Sequence, residues 1–285
     1  MKMYLKFIKH WLNFLSIIAP KYGGKIVINI FQKVRIKRIK EAEKEFYSKM
    51  KPFKVSQKNN EALHCYELGK PNGRLVFLVH GWDSNAGSLT RFAFELANKG
   101  YRVISLDLPA HSNTEEIRTN LYICKNAFKA LIDYINPKEP FSVIAHSFGS
   151  IVIAFALSET NYLVDKIVLL SANNKLKEVF LGFQKFIGFN DKIFRHIEIW
   201  IKNFFKEDLS EMKITNRLKT VNFEEMLIIH DKFDKVIPYR NAEEIVKIVQ
   251  NTKVLAFERI GHYRMLWNED VINETINFIS TIKKR

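Results

Sequence analysis

The chain has 285 residues, 47% of them hydrophobic and only seven of them proline, enough for one sizeable buried core and incompatible with a disordered chain. Its two cysteines, Cys65 and Cys124, show no paired spacing and no Cys/His cluster, which argues against a disulfide framework and against a zinc site. The formal charge of +15 is unevenly placed: residues 1–58 hold fifteen Lys/Arg against three Asp/Glu, a net +12, leaving +3 for the rest, and with no nucleic-acid-binding motif beside it this charge does not point to nucleic acid.

Residues 1–19 open with a basic stretch followed by Trp11, Leu12, Phe14, Leu15, Ile17 and Ile18. The apolar run is interrupted by His10, Asn13 and Ser16, and Ile18-Ala19-Pro20 is a poor small-residue cleavage site, so the segment does not read as a signal peptide. It is also too short and too charged to span a bilayer. At helical spacing Lys2, Lys6, Lys9, Asn13 and Ser16 fall on one narrow stripe, which predicts an amphipathic helix ended by Pro20 and Gly23-Gly24. Two placements suit such a helix: on an anionic membrane surface, or docked on the main domain of its own chain. A second helix is expected from residue 25 to residue 50, stopped by Pro52. Residues 1–58 therefore read as a basic helical extension, and residues 59–285 as the main domain.

From Leu63 onward, short apolar runs alternate with amphipathic stretches, the pattern of a mostly parallel sheet covered by helices. Strands are expected at residues 75–79, 103–106, 142–145, 166–170, 226–229 and 254–257. In such a sheet the ligand crevice lies beyond the C-terminal strand ends. The alternation lapses at residues 173–223, a helical stretch rich in Phe, including Phe180, Phe183, Phe186, Phe194, Phe204 and Phe205. Two readings stand for these rings: the lining of an apolar acyl pocket in a cap, or ordinary helix packing.

The strongest chemical signal is Phe141-Ser-Val-Ile-Ala-His-Ser-Phe-Gly-Ser150, a buried strand running through a small-X-Ser-X-Gly turn into an apolar helix. A serine hydroxyl is a weak nucleophile unless it is exposed, oriented and next to a base. A tight elbow exposes it, provided that the flanking residues are small, as Ala145 and Gly149 are. The turn also sets the backbone N–H of Phe148 at a helix N-terminus, facing a developing oxyanion.

This segment resembles the nucleophile elbow of the α/β-hydrolase superfamily, usually Gly-X-Ser-X-Gly, with Ala145 at the first small position. Three further segments are similar to loops of that family and occur in its order. His230-Asp-Lys-Phe-Asp-Lys-Val-Ile-Pro238 resembles the acid loop His-Gly-X-X-Asp-X-X-Val-Pro, with Asp234 at the acid and Asp231 at the family's Gly, a position whose side chain points away from the site. Phe257-Glu-Arg-Ile-Gly-His262 resembles the histidine loop, and Leu75-Val-Phe-Leu-Val-His-Gly-Trp82 the loop that gives a second oxyanion donor. Leu106-Asp-Leu-Pro-Ala-His-Ser112 is similar to a further family loop, in which Asp107 and His111 take structural or pocket-lining roles. The resemblance implies an α/β-hydrolase fold with a mostly parallel central sheet, helices on both faces, a helical cap insertion and the N-terminal helical extension. It implies a Ser147, His262 and Asp234 triad, an oxyanion hole of the Trp82 and Phe148 backbone N–H groups, and hydrolysis of a carboxylic ester with an apolar acyl or alcohol part through an acyl-enzyme. No metal and no organic cofactor is called for, and a small-molecule or lipid-like ester is the expected partner. A cytoplasmic location is expected, with peripheral contact at the inner membrane surface through residues 1–20 as an open variant. A non-catalytic binding or scaffold protein on the same fold is the alternative; the oligomeric state is left open.

Overall fold

The computed structural model describes residues 2–36, 38–57, 62–112, 114 and 116–281, with side chains from residue 7 onward. The Lys2 and Lys6 side chains of the expected polar stripe, Lys37, and the 58/59 division lie outside the described residues.

In chain order the elements are α1 (Lys2–Ile18), α2 (Pro20–Phe31), α3 (Glu41–Lys49), β1 (Lys51–Ser56), β2 (Ala62–Gly69), β3 (Leu75–Val79), α4 (Thr90–Asn98), β4 (Arg102–Leu106) and α5 (Leu121–Ile135). They continue with β5 (Phe141–His146), α6 (Phe148–Leu157), β6 (Val164–Leu170), α7 (Leu176–Ile187), α8 (Asp191–Phe205), α9 (Ile214–Leu218), β7 (Phe223–Asp231), α10 (Arg240–Ile248), β8 (Thr252–Phe257) and α11 (Glu269–Ser280). The strands form one sheet in the order β1-β2-β4-β3-β5-β6-β7-β8. Strand β2 is antiparallel to both neighbours, and every pair from β4–β3 to β7–β8 is parallel. Each of the six expected strands lies within an observed one, β3 with the expected bounds.

The chain divides into two compact units, Met1–Lys33 with Lys175–Asn216, and Val34–Asn174 with Arg217–Arg285. In the first, Leu12 and Leu15 of α1, Val27 and Ile28 of α2, Phe180 of α7, and Ile193, Phe194 and Ile197 of α8 are buried. The Phe31 ring stacks on Phe180 at 4.2 Å and meets Phe183 edge-on at 5.1 Å, so part of the Phe-rich stretch packs against an N-terminal helix.

Two expectations for the N-terminal region are corrected. Pro20 ends α1, but it also opens α2 as its first helical residue, where the missing N–H costs no bond. Gly23 and Gly24 lie inside α2 rather than breaking it: a Cβ at Gly23 would stand 2.8 Å from the Ile193 side chain, so the absence of one lets α2 approach α8. The helix expected over residues 25–50 stops at Phe31, and a non-helical run leads to α3 at Glu41. Crowded like charges and the β-branched Val34, Ile36 and Ile39 disfavour helix there. The backbone finds other partners instead: Val34 N–H donates to Ile117 O (3.2 Å) and Arg35 N–H to Asp83 Oδ1 (2.8 Å).

The second unit holds the sheet. Its strands show the period of two: Val76, Leu78, Ile144, Val168 and Leu170 share a core with Val271, Ile272, Ile276 and Ile279 around α11. Phe77, between Val76 and Leu78, instead meets Phe128 of α5 at 5.7 Å and Phe141 at 5.1 Å, both edge-on. Helix α3 belongs to this unit, with Phe46 and Met50 entering the core beside Tyr66 and Leu89.

Candidate active site

Strand β5 is buried at every residue, and the chain turns from it into α6 at Ser147, whose backbone sits at φ 52°, ψ −116°. Such a left-handed conformation costs a non-glycine residue about 1–3 kcal/mol and persists only when its surroundings impose it. Ser147 N–H donates to Leu170 O (2.9 Å) and Ser150 N–H to Ser147 O (3.0 Å), which fixes both sides of the turn. The small-residue requirement has a measurable cause: a Cβ at Gly149 would lie 2.5 Å from Val79 O and 2.7 Å from His80 O.

The acid and histidine loops leave β7 and β8 side by side. The Ser147 Oγ stands 3.0 Å from His262 Nε2, and His262 Nδ1 2.7 Å from Asp234 Oδ2. A carboxylate only accepts, so Nδ1 carries the proton and the Nε2 lone pair faces the serine hydroxyl. Burial opposes the ionisation of Asp234, but the His262 hydrogen bond and charge, with the Ile237 and Val236 N–H groups, outweigh it and hold its carboxyl at about 2. Those two N–H groups donate to Oδ1 at 3.0 and 2.7 Å, and Ser171 Oγ donates to Oδ2 at 2.9 Å.

The structure thus brings together Ser147, His262 and Asp234. The other two expected site residues flank the serine. Phe148 opens α6, where its N–H has no acceptor within the helix. Trp82 follows Gly81, at which a Cβ would meet Ser147 Cβ at 3.2 Å, and the Trp82 ring meets Phe148 edge-on at 5.1 Å. His80 is held neutral, chiefly by burial: its Nδ1 donates to Gly81 O (2.7 Å) and its Nε2 accepts from Leu108 N–H (2.9 Å), which props this loop on the next one. Asp107 takes a structural part, accepting from Tyr66 Oη (2.9 Å), Tyr47 Oη (3.0 Å) and Ala86 N–H (2.9 Å). His111 accepts from Asp83 N–H at 3.2 Å. Among the described residues no group of three or more His, Cys, Asp or Glu is placed to hold a metal ion.

Four contributors were not anticipated as such. Asp231, at the position expected to point away from the site, has a buried carboxylate that accepts from Phe233 N–H (2.6 Å), Arg259 N–H (3.2 Å) and Gly261 N–H, tying the acid loop to the histidine loop. His146 is fully buried and, chiefly by that burial, pushed down to about 3; as a neutral ring it donates from Nε2 to the His262 carbonyl at 3.0 Å. His230 Nε2 donates to Ile237 O (2.9 Å) across the acid loop, and Ser171 orients Asp234. The serine is the only one of these four with no motif around it in the sequence; it stands at the end of β6, itself at φ 49°.

Comparison with known proteins follows the same line. Residues 74–192 match the family model of the α/β hydrolase fold. An uncharacterized hydrolase, YugF, of Bacillus subtilis (strain 168) is 31% identical over 110 residues, a stretch covering 38% of this chain and 40% of that protein's length. A non-heme chloroperoxidase of Burkholderia pyrrocinia is 22% identical over 77% of this chain and 96% of its own. Among solved structures, the esterase Pf2001 of Pyrococcus furiosus superposes with a TM-score of 0.66 at 18% identity, over 87% of this chain and 98% of that one.

Proposed function

We propose that the chain, whose residues 74–192 match the α/β-hydrolase-fold family model and whose fold superposes on an esterase of that fold, is a serine hydrolase that cleaves carboxylic esters by way of an acyl-enzyme. The observation that carries this reading is the continuous hydrogen-bonded line from Ser147 Oγ through His262 to the ionised Asp234. In the proposed reaction Ser147 Oγ attacks the ester carbonyl carbon as His262 Nε2 takes its proton. Asp234 holds the ring in the receptive tautomer and stabilises the imidazolium. The carbonyl oxygen, now an oxyanion, is received by the N–H groups of Trp82 and Phe148; a donor of this kind is worth about 10²–10³ in rate. The C–O bond then breaks, and His262 returns the proton to the departing alcohol. Water, deprotonated by the same nitrogen, attacks the acyl-serine and releases the acid, restoring Ser147.

The ester as the bond cleaved is supported by the esterase with which the fold superposes. An apolar acyl or alcohol part remains the proposed preference. The test is hydrolysis of p-nitrophenyl esters graded by acyl length, with wild type and Ser147→Ala side by side. Wild type should turn over at least one ester and Ser147→Ala none, with unchanged circular dichroism. A folded wild type inert toward the whole series, or an active Ser147→Ala, would overturn the proposal.

A further inference from the structure

Helix α1 is held by one face. Leu12, Leu15 and Ser16 are buried in the helical unit, Ser16 Oγ accepts from Asn190 Nδ2 at 2.6 Å, and the Lys9 side chain lies against Gly188 at the end of α7. These contacts fix the rotation of the helix and turn Phe7, Trp11, Phe14 and Ile18 outward, at successive spacings of four, three and four, with Ile17 beside them. Their relative exposures are 69, 41, 57, 61 and 75%. A helix that only packs on its own protein turns such a row inward and leaves its polar side out. Here the polar Ser16 is inside, and the aromatic row faces solvent. Single exposed apolar side chains are ordinary, but a row of five on one helix face marks an interaction surface.

The surrounding charge says what kind of partner fits. Residues 1–40 contain ten Lys/Arg and no Asp/Glu, and Lys9, Lys21 and Lys25 are exposed on α1 and α2. A second copy of this chain would bring the same lysines against each other. A bilayer with anionic headgroups answers both features, since its acyl region takes the aromatic row and its headgroups take the lysines. Among the described residues no helix is long and apolar enough to cross a membrane, so the fitting mode is shallow insertion parallel to the surface. We propose that the outward face of α1 is a docking surface for an anionic lipid bilayer. It stands independently of the hydrolytic reading.

The test uses the full chain and vesicles of phosphatidylcholine with and without phosphatidylglycerol, read by co-sedimentation. Wild type should pellet with the anionic vesicles and about tenfold less with the neutral ones, and added salt should release it. Phe7→Ser combined with Phe14→Ser, at two exposed positions, should lower the bound fraction at least about tenfold while leaving circular dichroism unchanged. Wild type that stays in the supernatant with both vesicle types overturns the proposal even if the variant fails to fold, and so does a folded variant that pellets as wild type does. Equal pelleting with both vesicles overturns its anionic part. A lipid-independent dimer that the double substitution dissociates, without vesicle binding, assigns the face to a second copy instead.

Discussion

Replacing Asp234 by Asn changes one oxygen to NH2 at a point where the environment supplies only donors. Oδ1 can keep its two bonds from Val236 and Ile237 N–H. The amide nitrogen then falls at Oδ2, facing His262 Nδ1–H and Ser171 Oγ, and the arrangement is relieved when the imidazole moves its proton to Nε2. In that tautomer the nitrogen 3.0 Å from Ser147 Oγ no longer has a lone pair for the serine proton. By analogy with the same change in serine proteases, kcat should fall by about 10⁴, equivalent to about 5.5 kcal/mol of lost transition-state stabilisation, with little change in KM. Asp231→Asn probes the neighbouring carboxylate. Its amide oxygen can still serve Phe233 and Arg259 N–H, but its nitrogen would confront Gly261 N–H, and an unsatisfied buried donor costs roughly 1–3 kcal/mol. That predicts a fall in Tm of roughly 2–5 °C with about a tenfold loss or less in kcat. Steady-state hydrolysis of one p-nitrophenyl ester, with thermal unfolding of each variant, separates the two. A larger kcat loss in Asp231→Asn than in Asp234→Asn would refute the reasoning and make Asp231 the orienting acid.

Ser171→Ala removes one hydrogen bond to Asp234 and should lower kcat about tenfold, since a bond to a charged group is worth roughly 1.5–3 kcal/mol; an unchanged kcat would show that the other three donors suffice. Gly149→Ala places a methyl 2.5 Å from Val79 O, so the elbow cannot close as it stands, and the expected result is loss of soluble, active protein; wild-type activity would contradict the close approach. Asp234 is lowered in the folded chain from 3.8 to about 2, so its contribution to stability is present above about pH 4 and is lost as the pH falls through about 2. It amounts to about 2 kcal/mol. The Tm difference between wild type and Asp234→Asn should therefore be constant above about pH 5 and shrink toward pH 2, and a difference that stayed flat over that range would contradict the shift.

What the sequence made legible, and what it hid, follows from where each signal resides. The buried parallel strands announce themselves as apolar runs because helices cover the sheet, and the serine elbow because two backbones meet at Gly149 and admit no side chain. Strands β1 and β2 were hidden for the opposite reason. They are antiparallel at one edge of the sheet, and β1 carries Lys51, Pro52 and Lys54, residues typical of edges and poor in strand signal. The break after α2 depended on partners distant in sequence, Ile117 and Asp83, which no local pattern encodes. The glycines of α2 read as breakers because their use, contact with Ile193 and His196, lies some 170 residues away in the chain. In the candidate site the three aligned side chains stand in loops with a recognisable order. Ser171, His146 and Asp231 act through hydrogen bonds to backbone or to a neighbouring carboxylate, and such contacts leave no spacing to read.

The central claim is that Ser147 is the nucleophile that His262 activates. Treatment of the wild-type chain with a fluorophosphonate, followed by intact-mass and peptide mass spectrometry, tests it most directly. The account predicts one adduct, on the peptide bearing Ser147, with labelling lost in Ser147→Ala and strongly slowed in His262→Ala. An adduct on another residue, or labelling of Ser147→Ala at the wild-type rate, would contradict it.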